Sequence, residues 1–300
     1  MRGRIMKGIA GFYFVKSGET VYRCKARGIF KLQEIKPAVG DQVEFEVIEG
    51  NDDNLITEIL PRKNCFVRPF VANVDCFAVV TAVARPAPVP ALVDKLLVMA
   101  EQAGTDVVLC INKCDLAANT RKSSGRKAHE SMQMLQSVYE PVYPVVLLDQ
   151  NDPEGYEQLR ELIRGRTVAL AGASGVGKST ILNHLLQDER MQTGSISEKS
   201  QRGRHTTRHA ELFPLDEEGT AIFDTPGFTS FALTEIEPDM LQHLFPEIEA
   251  SLGGCRFDNC RHAAEPECAV KKAVAEGRIG QARYDSYLAL LKELEEEKKY

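Results

Sequence analysis

Apolar and polar residues alternate through residues 1–65, which is the pattern of β-strands with one buried face. Turn-forming residues interrupt the alternation, for example at residues 17–18 and 50–53. The apolar residues at even spacing are Phe12, Phe14, Tyr22, Cys24, Val39, Val43, Phe45 and Val47. Short strands of this kind predict a small β-barrel or sandwich, and the size fits an N-terminal OB-like β-barrel of five strands.

Beyond residue 65, apolar runs of strand length alternate with segments that have helical spacing. Strands are expected at residues 74–84, 106–111, 142–148, 168–171 and 220–223. Helices are expected at residues 91–103, 131–139 and 156–164, and a further helix after residue 178. Two polar stretches, residues 117–127 and 194–208, are expected to be mobile. The alternation predicts a central parallel α/β domain over residues 66–235, with ligands at the carboxyl ends of its strands.

Residues 236–300 are predicted to form a mostly helical zinc-binding domain that ends in an amphipathic helix over residues 283–299. The candidate metal ligands are Cys255, Cys260, His262 and Cys268. Three thiolates and one imidazole are typical of closed, structural zinc sites. A region this small has little core, so bound Zn²⁺ would supply much of its folding free energy. Iron also binds thiolates and stays open as an alternative.

The 300 residues carry a net charge of −6, which argues against a protein that coats nucleic acid nonspecifically. Two local groups of basic residues could still contact RNA or could simply solvate the surface. They are Arg23, Lys25, Arg27 and Lys31, and Arg256, Arg261, Lys271 and Lys272. No apolar run has the length of a membrane span, and the first residues lack a signal-peptide core. We expect a cytoplasmic monomer without membrane contact.

One stretch fits the phosphate-binding P-loop pattern G-x-x-x-x-G-K-[ST]. It consists of Gly172, Ala173, Ser174, Gly175, Val176, Gly177, Lys178 and Ser179, followed by Thr180. The glycines let successive backbone N–H groups face a phosphate, and the next helix adds its positive N-terminal end. Lys178 is expected to reach the β- and γ-phosphates, and Ser179 to ligate Mg²⁺.

A second motif, Asn112-Lys113-Cys114-Asp115, follows a predicted strand directly. The Asp115 carboxylate can accept from both N1–H and the N2 amino group of guanine, a donor pair that adenine lacks. Asn112 is expected on the N7 side of the base, and the Lys113 stem against one face of the ring. By the same logic, Asp224 would hold Mg²⁺ through water and the Gly227 N–H would meet the γ-phosphate. Together the motifs predict GTP and Mg²⁺ as ligands.

The order of these motifs is unusual. Ordinary GTPases place the phosphate loop first and the guanine-reading motif last, whereas here Asn112 precedes Gly172 and Asp224. The central domain is therefore predicted to be a circularly permuted α/β P-loop GTPase domain. The segment after Gly227 then leads out of the nucleotide domain, so residues 228–239 are expected to couple the γ-phosphate sensor to the C-terminal domain.

This arrangement resembles the RsgA (YjeQ/YloQ) family of ribosome small-subunit-dependent GTPases. Similar stretches include residues 203–207, residues 244–248 and the cysteine cluster. The resemblance covers almost the whole chain. It implies GTP hydrolysis to GDP during late maturation of the small ribosomal subunit, slow in the free protein and accelerated on the subunit and its rRNA.

The resemblance also assigns catalytic roles by position. Thr206 or Thr207 would be the switch threonine that closes over Mg²⁺. Typical GTPases place a water-orienting glutamine after the sensor, and this chain has Phe228 there. A phenyl ring cannot orient water, and the resemblance gives that task to His205. A flexible surface histidine is the alternative for that residue.

Two departures from the family pattern concern the same site. The usual third threonine is Arg208, and Asp149 occupies the region that commonly offers a backbone N–H to guanine O6. An acid near O6 disfavours guanine, so a lowered nucleotide affinity is expected. The alternative functions are a GTP-controlled RNA-binding module with hydrolysis as a slow release timer, and a P-loop ATPase or kinase, which Asn112 and Asp115 argue against.

Overall fold

The computed structural model describes residues 1–28, 30, 35–48, 50, 53–193, 210–228 and 236–297. Within these ranges the strands are β1 (Arg2–Ile9), β2 (Phe12–Ser17), β3 (Thr20–Ala26), β4 (Gln42–Glu46), β5 (Asn54–Ile59), β6 (Cys65–Phe66), β7 (Val71–Ala72), β8 (Cys76–Ala82), β9 (Asp106–Asn112), β10 (Val145–Leu148), β11 (Thr167–Ala171), β12 (Glu211–Pro214) and β13 (Ala221–Phe228). The α-helices are α1 (Pro90–Gln102), α2 (Ser123–Tyr139), α3 (Glu154–Ile163), α4 (Lys178–Thr193), α5 (Pro246–Glu249), α6 (Ala269–Ala275) and α7 (Gln281–Glu297). Two 3₁₀ helices span Cys114–Ala117 and Pro238–Leu244.

The chain forms two compact units. The first comprises Met1–Phe77, Arg160–Ala171 and Lys178–Phe228. The second comprises Ala78–Leu159, Gly172–Gly177 and Thr229–Tyr300. Each unit is therefore built from segments that are distant in sequence. Among the described residues, no helix is both long enough and apolar enough to span a bilayer.

The first unit begins with a closed five-stranded barrel in the order β1-β2-β3-β5-β4, which the pairing of β1 with β4 completes. Strand β3 runs parallel to β5, and the other pairs are antiparallel. Alternate side chains point inward, as the period of two requires. The fully buried ones are Ile5, Val15, Cys24, Val43, Phe45 and Ile56. The predicted OB-like barrel is confirmed.

Strand β1 also pairs with β12 through Lys7 and Glu211, and their side chains form an ion pair of 2.7 Å. Strand β12 is antiparallel to β13, which in turn runs parallel to β11. The barrel is thus continuous, through backbone hydrogen bonds, with the strand that carries Asp224. Strands β6 and β7 form a separate short hairpin.

In the second unit, β10, β9 and the part of β8 from Ala78 onward are neighbouring strands, and β9 runs parallel to β10. Helix α1 agrees closely with the predicted helix at residues 91–103. Helix α2 begins at Ser123, eight residues before the predicted start of this helix at residue 131. The buried residues there are small, namely Gly125 and Ala128, and the Asn119 carbonyl lies so close to Gly125 that a Cβ would be 2.0 Å from it. Such small residues produce no helical spacing of large apolar side chains, so the first turns of α2 were not predicted from the sequence.

The last part of the second unit packs around one apolar cluster. Its buried members include Ile236, Leu241, Phe245, Ile248, Val270, Tyr287 and Leu291. Ile236 and Phe245 flank the Pro238–Leu244 helix, and the others come from that helix and from α5, α6 and α7. Val98 of α1 belongs to the same cluster. This region is therefore mostly helical, as predicted, and its core includes a residue of the α/β part of the chain.

Candidate nucleotide site and metal centre

The loop between β11 and α4 has the backbone conformation that its glycines permit. Gly172, Gly175 and Gly177 have φ values of 147°, 80° and 108°. A Cβ on Gly172 would lie 2.2 Å from the carbonyl oxygen of Val80. Only glycine combines this dihedral with so close an approach of another strand. Ala173 is half-buried, while Ser174 and Gly175 are exposed at the tip of the loop.

Asn112 lies at the end of β9 and holds the loop directly. Its side-chain nitrogen donates to the Val176 carbonyl at 2.8 Å, and this hydrogen bond is buried. A Cβ on Gly177 would lie 2.1 Å from the same nitrogen. Asn112 was expected on the N7 side of guanine, and this hydrogen bond was not predicted. The hydrogen bond can form because the carboxyl ends of parallel strands lie at the same edge of the sheet.

Lys113 reinforces the same connection. It adopts the left-handed conformation with a φ of 63°, and its Nζ donates to the Gly175 carbonyl at 2.7 Å and to the Arg85 carbonyl. Asp115 lies in the first turn of the Cys114–Ala117 helix and is half-buried. The structure thus brings the two motifs together, with the polar ends of Asn112 and Lys113 on the loop.

The first turn of α4 carries the remaining predicted phosphate-binding side chains. Lys178 is half-buried, and burial lowers the pKa of its ammonium group. Ser179 and Thr180 are exposed. The helix N-terminus and the ammonium together make this turn suited to an anion.

The predicted γ-phosphate sensor is a bulge in the sheet. Ala169 pairs with Phe223 and Ala171 with Phe228, so Asp224, Gly227 and the two residues between them all oppose Leu170. Extra residues in one strand force its backbone away from the ladder. The segment therefore protrudes beside the strand that leads into the P-loop. On its other side, Asp224 pairs with Glu211 of β12.

Phe228 is 2% exposed and packs in an aromatic trio. Its ring lies 4.9 Å from that of Phe77 and 5.3 Å from that of Phe66, each at nearly a right angle. Edge-to-face contacts of this kind are the favoured aromatic geometry. The side chain at the position of the usual glutamine is therefore a core residue.

A metal centre can form from Cys255, Cys260, His262 and Cys268. Their candidate ligand atoms all lie within 4.8 Å of one another. Three of the separations are 3.4 Å, 3.6 Å and 3.9 Å. Zn–S bonds of about 2.3 Å in a tetrahedron give edges of about 3.8 Å, so the set fits that geometry. Burial lowers the pKa of His262, which favours the neutral imidazole that metals require.

Similarity to known proteins agrees with this geometry over the whole chain. The family model described as RsgA GTPase matches residues 59–234, and the model described as RsgA N-terminal domain matches residues 2–55. The chain belongs to the RsgA GTPase family.

Named members of this family are similar to the present chain from end to end. "Small ribosomal subunit biogenesis GTPase RsgA" of Alkaliphilus metalliredigens is 44% identical and covers 100% of this chain and 99% of its own. The protein of the same description from Agathobacter rectalis is 43% identical, with 100% of both chains covered.

Two solved structures have the same fold. YjeQ from Thermotoga maritima is 34% identical, covers 98% of each chain and has a TM-score of 0.83. YloQ, described as a circularly permuted GTPase, is 31% identical, covers 99% of this chain and 95% of its own, and has a TM-score of 0.79. The predicted permutation, with Asn112 before Gly172, is confirmed.

Some residues that were singled out from the sequence lie outside the described residues. They are His205, Thr206, Thr207, Arg208 and Lys31. Their roles stay predictions.

The two predicted basic groups contain internal ion pairs. Arg23 and Lys25 both bind Asp53, and both lie over the Phe12 ring. In the metal-centre region, Arg256 pairs with Glu267, and Arg261 with Asp239 and Glu295. Much of the positive charge in both groups is therefore locally compensated, which the sequence did not indicate.

Proposed function

We propose that this protein is a GTP hydrolase that acts in late maturation of the small ribosomal subunit and is stimulated by that subunit. Support comes from its end-to-end similarity to small ribosomal subunit biogenesis GTPases. The observation that carries the nucleotide part is the hydrogen bond from Asn112 to Val176, because it joins the guanine-reading motif to the phosphate loop. The proposed partners are the subunit and its rRNA, and the site of action is the cytoplasm.

The residues divide the work by position. Asp115 accepts from the guanine edge, and the loop N–H groups of residues 172–177 with Lys178 hold the phosphates. Ser179, Thr206 or Thr207, and Asp224 through water, would hold Mg²⁺, which neutralises charge on the β- and γ-phosphates when bound. The Gly227 N–H contacts the γ-phosphate.

His205 orients the water that attacks the γ-phosphorus in line with the leaving GDP. Phe228 cannot share that task, because its side chain is an apolar member of the core. A catalytic histidine outside the motifs that bind the nucleotide suits an activity that depends on docking of the subunit.

Zn²⁺ is the proposed occupant of the metal centre, because three thiolates and one imidazole at tetrahedral spacing are its usual set. With four protein ligands no coordination position remains for a substrate, so the role is structural. We also propose domain boundaries at residues 65 and 235 and a monomeric state.

The first experiment measures GTP and ATP turnover with and without purified small ribosomal subunits at fixed Mg²⁺ and salt. Stimulation confined to GTP is expected. Equal turnover of ATP would exclude guanine recognition by Asn112 and Asp115. GTP binding without stimulation would favour a nucleotide-controlled binding module.

Two variants separate the roles. Asp115→Asn should shift preference from guanine toward xanthine nucleotides, because an amide donates where the carboxylate accepts. His205→Ala should leave GTP affinity unchanged and abolish the stimulated turnover, with His129→Ala on α2 as the matched control. Unchanged stimulated turnover in His205→Ala would remove the catalytic role of that histidine.

A further inference from the structure

His262 is fixed by side chains outside the set of metal ligands. The residue is 2% exposed and has a φ of 62°, a left-handed conformation that is uncommon for a residue other than glycine. The Glu265 carboxylate accepts from the N–H groups of Arg261 and Ala263, on either side, at 2.9 Å each. The Tyr284 hydroxyl donates to the His262 carbonyl at 2.6 Å. The backbone is thus clamped, and the ring has a defined direction.

The two ring nitrogens of His262 face different partners. Nδ1 lies 3.6 Å from the Cys255 sulfur and 3.4 Å from the Cys268 sulfur. Nε2 lies 2.8 Å from Oε1 of Gln242. An amide oxygen can only accept, so Nε2 carries the proton and Nδ1 presents its lone pair to the metal.

Gln242 belongs to the 3₁₀ helix Pro238–Leu244. The same helix also binds Arg261, the residue that precedes His262 in the chain. Asp239 accepts from the Arg261 Nε at 2.7 Å. Side chains three residues apart eclipse one another on a 3₁₀ helix, so Asp239 and Gln242 share one face. That face hydrogen-bonds to two consecutive residues, Arg261 and His262.

We propose that Gln242 is an outer-sphere ligand of the metal centre that selects Nδ1 of His262 for coordination, and that the Asp239–Gln242 face ties metal binding to the placement of the Pro238–Leu244 helix. The inference rests on the proposed zinc site. This helix is the first described element after β13, the strand that carries the proposed γ-phosphate sensor. Metal binding is therefore expected to hold the Pro238–Leu244 helix in place.

The coordination can be read directly. Long-range ¹H–¹⁵N NMR of the Zn²⁺-loaded full chain, with labelled histidine, should place His262 in the Nδ1-bound, Nε2–H form. An Nε2-bound His262 would overturn the proposal. A chain that takes up no Zn²⁺ would overturn both the proposal and the zinc assignment, which distinguishes the two failures.

Metal release tests the role of Gln242 itself. Release of Zn²⁺ to a chromogenic chelator should be about 10–100-fold faster from Gln242→Ala, because loss of an outer-sphere partner commonly lowers metal affinity by that factor. Gln242→Glu keeps an acceptor and should stay near the parent rate. Met240→Ala is the matched control, since Met240 lies on the same helix and is 51% exposed. Equal release from Gln242→Ala and Met240→Ala would overturn the proposal.

Hydrogen exchange tests the link to the helix without any substitution. Amides of residues 238–244 should exchange faster in the Zn²⁺-free than in the Zn²⁺-loaded protein, and the barrel amides should exchange equally in both. Equal protection of residues 238–244 in the two states would overturn the coupling.

Discussion

The guanidinium of Arg283 lies 2.5 Å from the carboxylate of Asp94, and both side chains are 1% exposed. Glu247 binds the same guanidinium at 2.6 Å, and the Phe245 ring stacks 4.5 Å from it. Burial alone lowers the pKa of Arg283, but the two carboxylates outweigh burial and raise it. Arg283 therefore stays charged, and it joins α7 to α1 through a buried ion pair.

Arg283→Met should destabilise the second unit by about 3–5 kcal/mol, because it leaves Asp94 and Glu247 buried without their partner. The check is chemical unfolding of the full chain, followed by a probe in the second unit. Arg278→Met is the control, since Arg278 pairs with Glu276 in a solvent-exposed ion pair that should contribute little to stability. Equal effects of the two substitutions would mean that Arg283 is not a structural anchor.

Gly177→Ala should abolish tight GTP binding and lower stability. Its Cβ would lie 2.1 Å from the Asn112 side-chain nitrogen, at a φ of 108° that alanine rarely adopts. Gly175→Ala is the matched comparison, because its φ of 80° is also left-handed but the nearest atom lies 3.8 Å away. Calorimetric GTP titration of both variants measures the difference.

Adding Asn112→Ala to Gly177→Ala should recover part of the lost stability, since it removes the clashing atom. No recovery would assign the whole effect to backbone strain.

The sequence sufficed for the parts of the site that follow from local pattern. Alternation predicted the barrel, and the glycines predicted the loop. Contacts across long separations left no such signal: Arg283 and Asp94 are 189 residues apart. The sequence did not predict that either side chain is buried, because charged residues on a helix usually face solvent.

Gln242 was missed for a related reason. Its partner His262 was predicted to be a metal ligand from the spacing of the cluster, but an amide that hydrogen-bonds to such a ligand has no fixed spacing from the cluster. The bulge at Asp224 was also invisible, because strand register depends on the partner strand as well as on the segment itself.

Phe228→Gln should destabilise the first unit by about 3–5 kcal/mol and should not raise GTP turnover, since truncating a buried phenylalanine costs this much and the ring packs among Phe66 and Phe77. Phe228→Leu stays apolar and should cost less. Unfolding and GTP turnover without the ribosomal subunit are measured for both. Faster hydrolysis by Phe228→Gln at unchanged stability would mean that residue 228 faces the nucleotide.

The pH dependence of stability can be tested at the start of β11, the strand that leads into the P-loop. Asp75 accepts from the Thr167 N–H at 2.9 Å, binds Lys63 at 2.5 Å and donates its own N–H to the Thr167 carbonyl at 2.8 Å. Burial raises the pKa of Asp75, but the hydrogen bonds from Lys63 and Thr167 outweigh burial, so the folded-state pKa lies below the ordinary value.

A lowered folded-state pKa means that Asp75 contributes stability above the ordinary aspartate pKa of about 3.9 and loses that contribution as the pH falls through the folded value. Asp75→Asn should therefore lower stability at neutral pH and reduce the loss of stability on acidification. Urea unfolding midpoints across an acid series measure the slope. Glu46→Gln on the exposed side of β4 is the control, and parallel curves for Asp75→Asn and the parent chain would show that this carboxylate carries no pH-linked stability.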